Sequence, residues 1–575
     1  HYKVPPKINN FLLLTIESFS FTISLNNEIG FSNTRGVLIM INGTTLWNRS
    51  YTADMIEKTF SGKTYLTYPN LPANLYDALS LSAARHPDKT AVVDDSGATY
   101  TYTELRDMAD HFSSYLYYIS DIKPGTKTGI MMFNSVEFCV TFLALTKLGA
   151  VVIPLPSKYS RNEVLSLTAK ADLQYILCDE KFYDWFVPLE TSGVHLMKPG
   201  RSQDGFGFSH LCASYLSPVP SLGREEDDAL IMFTSGTTSQ SKGVIIKNYS
   251  IMHAIVSYQR IFQITDRDTT LIPIPIYLVT GLVALLGLTL YAGGTVYLHK
   301  FFDAKRVLRD VNDKEITFLH AAPAVFSLLL REKDSFPSLP SLRLLACGSS
   351  NMSKEKLTEI HRWLPCAVFH TVYGLTETCS PATIFPGDAS TSSYIGSSGL
   401  PIPGTCFCIL DDSGSQMQTG QVGEIAVRGT VVLDRYYQKG TGGLDGDGWL
   451  RTGDLGYFNG EGYLFIVDRK KDMINRGGEK IWSFDVENEL YRLDGIDEAA
   501  VVGIPHDIYG EVPVAAVKLS PESILTEQQI QDLLKCRIAK YMIPSRILFL
   551  NELPLTPNNK VNKSAIRKLF MQPEQ

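Results

Sequence analysis

The segment ALIMFTSGTTSQSKGVII (residues 229–246) carries the most suggestive chemistry in the chain. An apolar run leads into a loop of Thr, Ser and Gly that holds Lys242, and a second apolar run leaves it. Successive backbone N–H groups, small hydroxyls and one ammonium are the donors a polyphosphate takes. The pattern is not GxxxxGK[ST], because Ser241 precedes the lysine and no helix is expected directly after it. A generic loop of this composition would be a polar hairpin turn; the ordered TSGTT…KG favours phosphate. In TVYGLTETCS (371–380), Tyr373 can offer a flat face to a base, Thr376 a hydroxyl to a phosphate and Glu377 a hard oxygen to Mg²⁺. Taken alone, that stretch fits a capped turn equally well. The run 449–481 sets Asp454 in an expected tight TGD turn, where a carboxylate can accept both hydroxyls of a ribose. The same run holds Asp468-Arg469-Lys470 between two apolar strands, and by themselves these charges read as a solvated stretch between hairpins with NG and GG turns. LPLTPNNKVNKSAIRKLF (553–570) carries Lys560 in a Pro/Asn turn before a basic helix, where a lone lysine is ordinarily just solvated.

These residues need a scaffold, and the chain offers one. From Asn74, which can cap a helix LYDALSLSAARH, helical and strand-like segments alternate. TAVVDD (90–95) and ATYTY (98–102) read as strands around a Ser96-Gly97 turn, and ELRDMADHFSSYLYYI (104–119) as a helix. TGIMMF (128–133), VEFCVTFLALTKLGA (136–150) and VVIPLP (151–156) read as strand, helix and strand. The expected fold is α/β, a large N-terminal domain of layered, mainly parallel sheets and helices followed by a small α+β C-terminal domain. At roughly 150 residues per domain, 575 residues allow about four domain-sized units, which large α/β enzymes merge. We divide the chain into an N-terminal extension of unassigned role (1–69), a large domain (70–467) and a small C-terminal domain (468–575). Because the extension differs in composition, residues 1–54 are expected to be dispensable.

Composition narrows the function. Hydrophobic residues at 44% and charged residues at 20% exclude a wholly disordered chain, a collagen and a coiled coil. A net charge of −7 disfavours a nucleic-acid partner. Nine cysteines without CxxC or metal-ligand spacing read as reduced thiols of a cytoplasmic protein. Cys406 and Cys408, in the strand-like TCFCIL, are expected on opposite faces. The apolar run 11–25 is broken by Glu17 and serines, and 282–294 reads as a buried core helix ended by a glycine pair, so no transmembrane segment is expected.

Taken together, the four segments resemble those of the adenylate-forming (AMP-forming) enzyme superfamily, over about residues 70–570 and in the family's order. LTKLGAVVIPL (145–155), VVGIPHDIYGEVPVAAVKL (501–519) and MIPSRILFLNELPLTPNNK (542–560) are most similar to the acyl-CoA synthetase branch. The resemblance implies a ligase with ATP, Mg²⁺ and CoA. A small-molecule carboxylic acid attacks ATP to give an acyl-adenylate and pyrophosphate, and a thiol then displaces AMP. It implies that Thr234, Ser235, Gly236, Thr237, Thr238 and Lys242 hold the β- and γ-phosphates, and that Tyr373, Gly348 and Ser349 line the adenine. It places Thr376 on the α-phosphate, Glu377 on Mg²⁺, and Asp454 with Arg469 on the ribose. Lys560 would bridge the carboxylate and the α-phosphate. A rotation about Asp468, a solvated hinge, would then bring Gly477, Gly478 and Glu479 up to the thiol. Leu278, Val279, Gly281, Ala321, Ala322, Pro323 and Gly399 would wall the acyl pocket.

Three positions depart from the family pattern. Ser239-Gln240-Ser241 replaces Gly-x-Pro in the loop, Asn559 replaces a glycine, and Leu278 stands where the branch often carries His and amino-acid-activating relatives carry Asp. Leu278 therefore points to an apolar aliphatic or aromatic acid, with no anionic partner for an α-amino group. Two alternatives remain beside CoA ligation: a stand-alone enzyme loading a carrier-protein thiol, and a catalytically silent relative. No carrier domain follows residue 575, which favours CoA, and intact Lys242, Glu377, Asp454 and Lys560 favour an enzyme.

Overall fold

Asn74 caps the helix Leu75–Arg85 as expected, its side chain accepting from the Asp77 N–H at 3.0 Å. The computed structural model describes residues 40–198, 216–234, 242–350, 352–438, 444–556 and 560–571. The helix expected from residue 104 begins at Tyr102, because Thr101 and Glu104 form a reciprocal capping box that ends the strand Thr99–Thr101.

Two large sheets carry the alternation. In one, the strands Asp228–Thr234, Val151–Pro154, Lys127–Met131, Tyr175–Cys178 and His195–Met197 run parallel, and Lys242–Lys247 adds antiparallel to Asp228–Thr234. In the other, Val368–Tyr373, Leu344–Cys347, Phe318–Ala321, Thr269–Ile272, Thr295–Leu298 and Thr90–Val93 are parallel, with antiparallel strands at both edges. These short runs are buried on both faces, the pattern of parallel strands covered by helices. The helix Val136–Lys147 is buried nearly all round, and even Lys147 is only 3% exposed, paired with Asp110 at 2.8 Å. The core segment 282–294 opens as a π-helix, Thr280–Gly287, continues as Leu288–Ala292 and stops at Gly293.

A third sheet is wholly antiparallel: Ile41–Asn42, Thr405–Leu410, Gly423–Gly429, Leu450–Phe458 and Leu464–Arg469. Cys406 and Cys408 lie on one face of it, not two. Side chains alternate with a period of two residues, so positions i and i+2 share a face, and both pack beside Ala426 and Trp449.

Between Arg469 and Ile474 the chain passes into a last sheet, built on the long antiparallel pair Ile496–His506 and Gly510–Leu519. Along the free edge of Gly510–Leu519, Ile474–Arg476 pairs at its start and carries Glu479–Ile481 beyond it, and Ile547–Phe549 pairs parallel farther along the same edge.

Residues 40–68 are built into the molecule. Ile41 pairs with Phe407, the Trp47 indole donates to the Pro401 carbonyl at 2.7 Å, and Phe60 stacks on Tyr249 at 4.2 Å. Asp54 pairs with Arg260 at 2.6 Å. The expectation that everything up to residue 54 is dispensable is therefore revised: Ile41 and Trp47 bury apolar surface, which a truncation at Met55 would expose. Residues 1–39 lie outside the described residues.

Candidate active site

Open α/β sheets place ligands beyond the carboxyl ends of their strands. Here the strands Leu344–Cys347 and Val368–Tyr373 end at a pocket lined by Ser349, Tyr373, Gly374, Asp454, Arg469 and Phe484. Gly348 sits at the same strand end, where an added Cβ would stand 3.1 Å from the Val372 carbonyl oxygen. The Tyr373 hydroxyl donates to Asp454 Oδ2 at 2.8 Å, and Arg469 Nε lies 3.3 Å from Asp454 Oδ1. Burial, reinforced by the Asp454 charge, holds the Tyr373 phenol well above its ordinary pKa, so it stays a donor.

Asp454 is not in a turn. It lies inside the strand Leu450–Phe458, where the ladder slips: Glu424 pairs with Leu455 but Ala426 with Arg451, so Thr452-Gly453-Asp454 bulge out. The bulge re-aims the carboxylate into the pocket, which a regular strand would not do.

The short turn Thr376–Thr378 follows the strand of Tyr373. The Glu377 carbonyl accepts from Leu433 N at 2.8 Å, and Glu377 Oε1 accepts from the Tyr436 hydroxyl at 3.1 Å. The ammonium of Lys242 stands 5.2 Å from the Tyr436 ring centre. Tyr436 thus connects the loop lysine with Glu377, a role the sequence pattern did not reveal. It lies in the two-residue edge strand Tyr436–Tyr437, which pairs with Val244 and Gly243. Thr234 faces Lys242 across the ladder. Ser235, Gly236, Thr237 and Thr238, with the departing Ser239-Gln240-Ser241, lie outside the described residues, as does Asn559.

Lys560, from the far end of the chain, comes within the field of the Asp454 and Arg469 charges. Thr556 N donates to the Lys560 carbonyl at 2.6 Å, and Lys560 N donates to Thr556 Oγ1 at 3.2 Å. The Lys560 ammonium lies in the field of Arg469, Asp454, Glu377 and Lys471. Burial, aided by Arg469, pulls its pKa down to about 8, against an opposing pull from Asp454 and Glu377.

Asp468 corrects an expectation. It is not solvated but 0% exposed: Ser483 donates to it through both N–H and hydroxyl, and Arg469 N donates at 2.7 Å. Burial raises its pKa, opposed by the nearby Lys563. Gly477-Gly478 form a two-residue hairpin turn with φ of 61° and 96°, values that need glycine. Gly477 and Gly478 are not among the residues lining the pocket, and Glu479 is exposed.

The acyl-wall candidates gather less tightly. Leu278 and Val279, half-buried, precede the π-helix that Gly281 enters, and that helix packs on the strand of Ala321. Ala322 caps the next helix, with Pro323 in its first turn. Gly399 has a packing reason of its own: at φ 89° its Cβ would stand 2.2 Å from the Ile384 backbone. His320, beside Ala321, carries no motif in the sequence; burial lowers its pKa to about 3, so the ring is neutral. Among the described residues no group of three or more His, Cys, Asp or Glu could hold a metal ion by protein ligands alone. A lone carboxylate such as Glu377 nevertheless fits Mg²⁺, which keeps several waters and takes its other ligands from phosphates.

Residues 79–437 match the AMP-binding enzyme family, and residues 485–560 match the AMP-binding enzyme C-terminal domain. The indoleacetate–CoA ligase of Aromatoleum aromaticum is 31% identical over 498 residues, covering 85% of this chain and 96% of that protein. A long-chain-fatty-acid–CoA ligase (FadD13) of Mycobacterium tuberculosis is 29% identical over 485 residues, covering 82% and 93%. The o-succinylbenzoate CoA synthetase of Bacillus subtilis, solved with its acyl-adenylate intermediate, superposes with a TM-score of 0.76 at 27% identity, covering 88% of this chain and 99% of that one. The same synthetase has been solved with ATP and a magnesium ion, at a TM-score of 0.74 and 28% identity, covering 84% of this chain and 98% of that one. With both of its lobes matched and relatives aligned nearly end to end, the chain belongs to the AMP-binding enzyme family, in its acyl-CoA synthetase branch.

Proposed function

We propose that this AMP-forming acyl-CoA synthetase activates an apolar monocarboxylic acid, aliphatic or aromatic, and transfers it to CoA. The observation that carries the reading is the pocket at the strand ends where Tyr373, Asp454 and Arg469 meet, with the Lys560 ammonium in the field of Asp454, Arg469 and Glu377. Adenylation brings a carboxylate against a polyphosphate, two anions, so placed cations must offset the repulsion. In this reading Lys560 bridges the acid and the α-phosphate, and Thr376 contacts that phosphate. Glu377 would hold Mg²⁺, which would neutralise phosphate charge. Asp454 and Arg469 hold the ribose, Tyr373, Gly348 and Ser349 the adenine, and Thr234, Lys242 and the loop between them the outer phosphates.

Residues 70–467 then form the large domain and 468–575 the small one, which pivots near Asp468 to bring Gly477, Gly478 and Glu479 to the thiol. Leu278, Val279, Gly281, Ala321, Ala322 and Gly399 offer no charged side chain, which supports an apolar acid over an amino acid. The cysteines among the described residues are free, in keeping with a cytoplasmic enzyme. No helix among them is long and apolar enough to cross a membrane.

The test is ATP–pyrophosphate exchange with hexanoate, dodecanoate, benzoate, cinnamate and the amino acids, followed by thioester formation with CoA or a carrier protein. Exchange strongest with an apolar acid and transfer to CoA are expected. Exchange strongest with an amino acid would overturn the substrate class, and transfer only to a carrier protein would overturn the acceptor.

A further inference from the structure

Lys563 lies three residues beyond Lys560, at the start of the helix Lys563–Met571, and its side chain is 14% exposed. Its ammonium donates to Ser483 Oγ at 2.6 Å and pairs with Glu487 Oε1 at 2.9 Å. Glu487 accepts in turn from Val501 N at 2.8 Å, and Ser483 is the residue that donates twice to the buried carboxylate of Asp468. One lysine thus ties two buried acids together, Asp468 through the serine and Glu487 directly. It also stands 5.1 Å from the ring centre of Phe484, which lines the pocket with Tyr373, Asp454 and Arg469. One turn along the same helix, Arg567 pairs with Asp472 at 3.1 Å, a second tie to the segment between the two sheets. Ile566 and Phe570 bury the helix's apolar face against Val502 and Val514.

We propose that Lys563 is a positioning residue for adenylation: anchored between Ser483 and Glu487, it seats Lys560, three residues earlier, and the Phe484 ring against the nucleoside pocket. The inference rests on the assignment of Lys560 to adenylation. A helix packed only through Ile566 and Phe570 could slide or tilt; the buried ammonium fixes its first turn, and with it the lysine three residues earlier. Through Ser483 the same ammonium holds the start of the segment that carries Phe484. Lys563 reaches the reaction only through these two neighbours.

The experiment compares full-length Lys563→Met, Lys563→Arg, Lys563→Met/Glu487→Gln and Phe484→Leu. Each is assayed for ATP–pyrophosphate exchange with the best acid and for thioester formation from supplied acyl-adenylate and CoA. Lys563→Met is expected to lower exchange by about 10- to 100-fold and raise KM for ATP, the scale of a small misplacement of a reacting group. Thioester formation should stay within about threefold, because Lys560 is not needed once the adenylate exists. Lys563→Arg, which keeps the charge and its donors, should recover most of the exchange. Phe484→Leu should raise KM for ATP and leave kcat nearly unchanged. Equal loss of both half-reactions, unchanged exchange in folded Lys563→Met, or no recovery with arginine would overturn the proposal. If Lys563→Met does not fold, the Met/Gln pair, which removes the uncompensated acid, is assayed in its place, and the same outcomes support or overturn the proposal. A Lys560→Ala variant that kept its exchange would instead overturn the role of Lys560 itself.

Discussion

The Tyr373 hydroxyl and the Asp454 carboxylate meet at 2.8 Å, although 81 residues separate them. The bond joins the end of a parallel strand to the bulge of an antiparallel one, and so fixes where two sheets meet around the pocket. Tyr373→Phe should cost about 1–3 kcal/mol at a buried acceptor whose remaining ion-pair partner among the described residues is Arg469. The expected result is a raised KM for ATP with a smaller change in kcat. Unchanged KM and unchanged thermal stability would show that the bond orients nothing.

Lys560→Ala should abolish pyrophosphate exchange and spare thioester formation from supplied adenylate. The pH dependence has a definite sign. With a pKa near 8, the cation that the proposed adenylation role requires is present below that pH and lost above it, so exchange should fall as pH rises through about 8. Stability moves the other way. Between about 8 and 10.5 the unfolded chain holds a proton at this site that the folded chain has released, so this group's contribution to stability rises with pH in that window. An alkaline limb for exchange that sits above pH 10 would contradict the buried placement of the ammonium.

Ion pairs join the C-terminal lobe to the large one: Arg331 to Asp497 and Glu498 at 3.3 and 3.4 Å, and Arg492 to Glu355 at 2.9 Å. Each is partly exposed, so each is worth about 0–1 kcal/mol and weakens with salt. Arg331→Ala combined with Arg492→Ala should leave the melting temperature nearly unchanged. It should lower exchange relative to thioester formation by about two- to tenfold, since 1.4 kcal/mol is a factor of ten. If both half-reaction rates keep their ratio at low salt, these pairs do not hold the adenylation arrangement.

Trp47→Ala should destabilise the chain by about 3 kcal/mol or more, the scale of emptying a buried indole site. A chain starting at Met55 should lose more, because Ile41 and the Asn42 strand pairing go with it. Equal melting temperatures for the full and shortened chains would show that residues 40–54 contribute no packing.

Leu278→Asp should lower exchange with apolar acids, because a carboxylate placed in a half-buried apolar wall needs a cationic partner. A gain of amino-acid exchange in the same variant would place position 278 beside the α-substituent. Unaltered acid preference would mean that Leu278 is only core.

Local chemistry was legible in the one-dimensional pattern. Caps such as Asn74, the Gly477-Gly478 turn and the apolar strands flanking the Thr/Ser/Gly loop depend on neighbours a few residues away, and each folds as its residues dictate. The two-residue spacing of Cys406 and Cys408 likewise already determines a shared face. Burial and charge environment were decided only in three dimensions. Asp468 looks solvated beside Arg469 and Lys470, yet Ser483 and Lys563, from distant positions, enclose it. Asp454 looks like a turn residue, yet a slipped ladder against Glu424 and Ala426 makes it a bulge. Tyr436 carries no motif and acquires its place only when an edge strand sets it between Lys242 and Glu377. The reason is common to all three: hydrogen-bond partners and neighbours come from segments far apart in the chain, so tertiary packing, not spacing, sets the surroundings of each side chain.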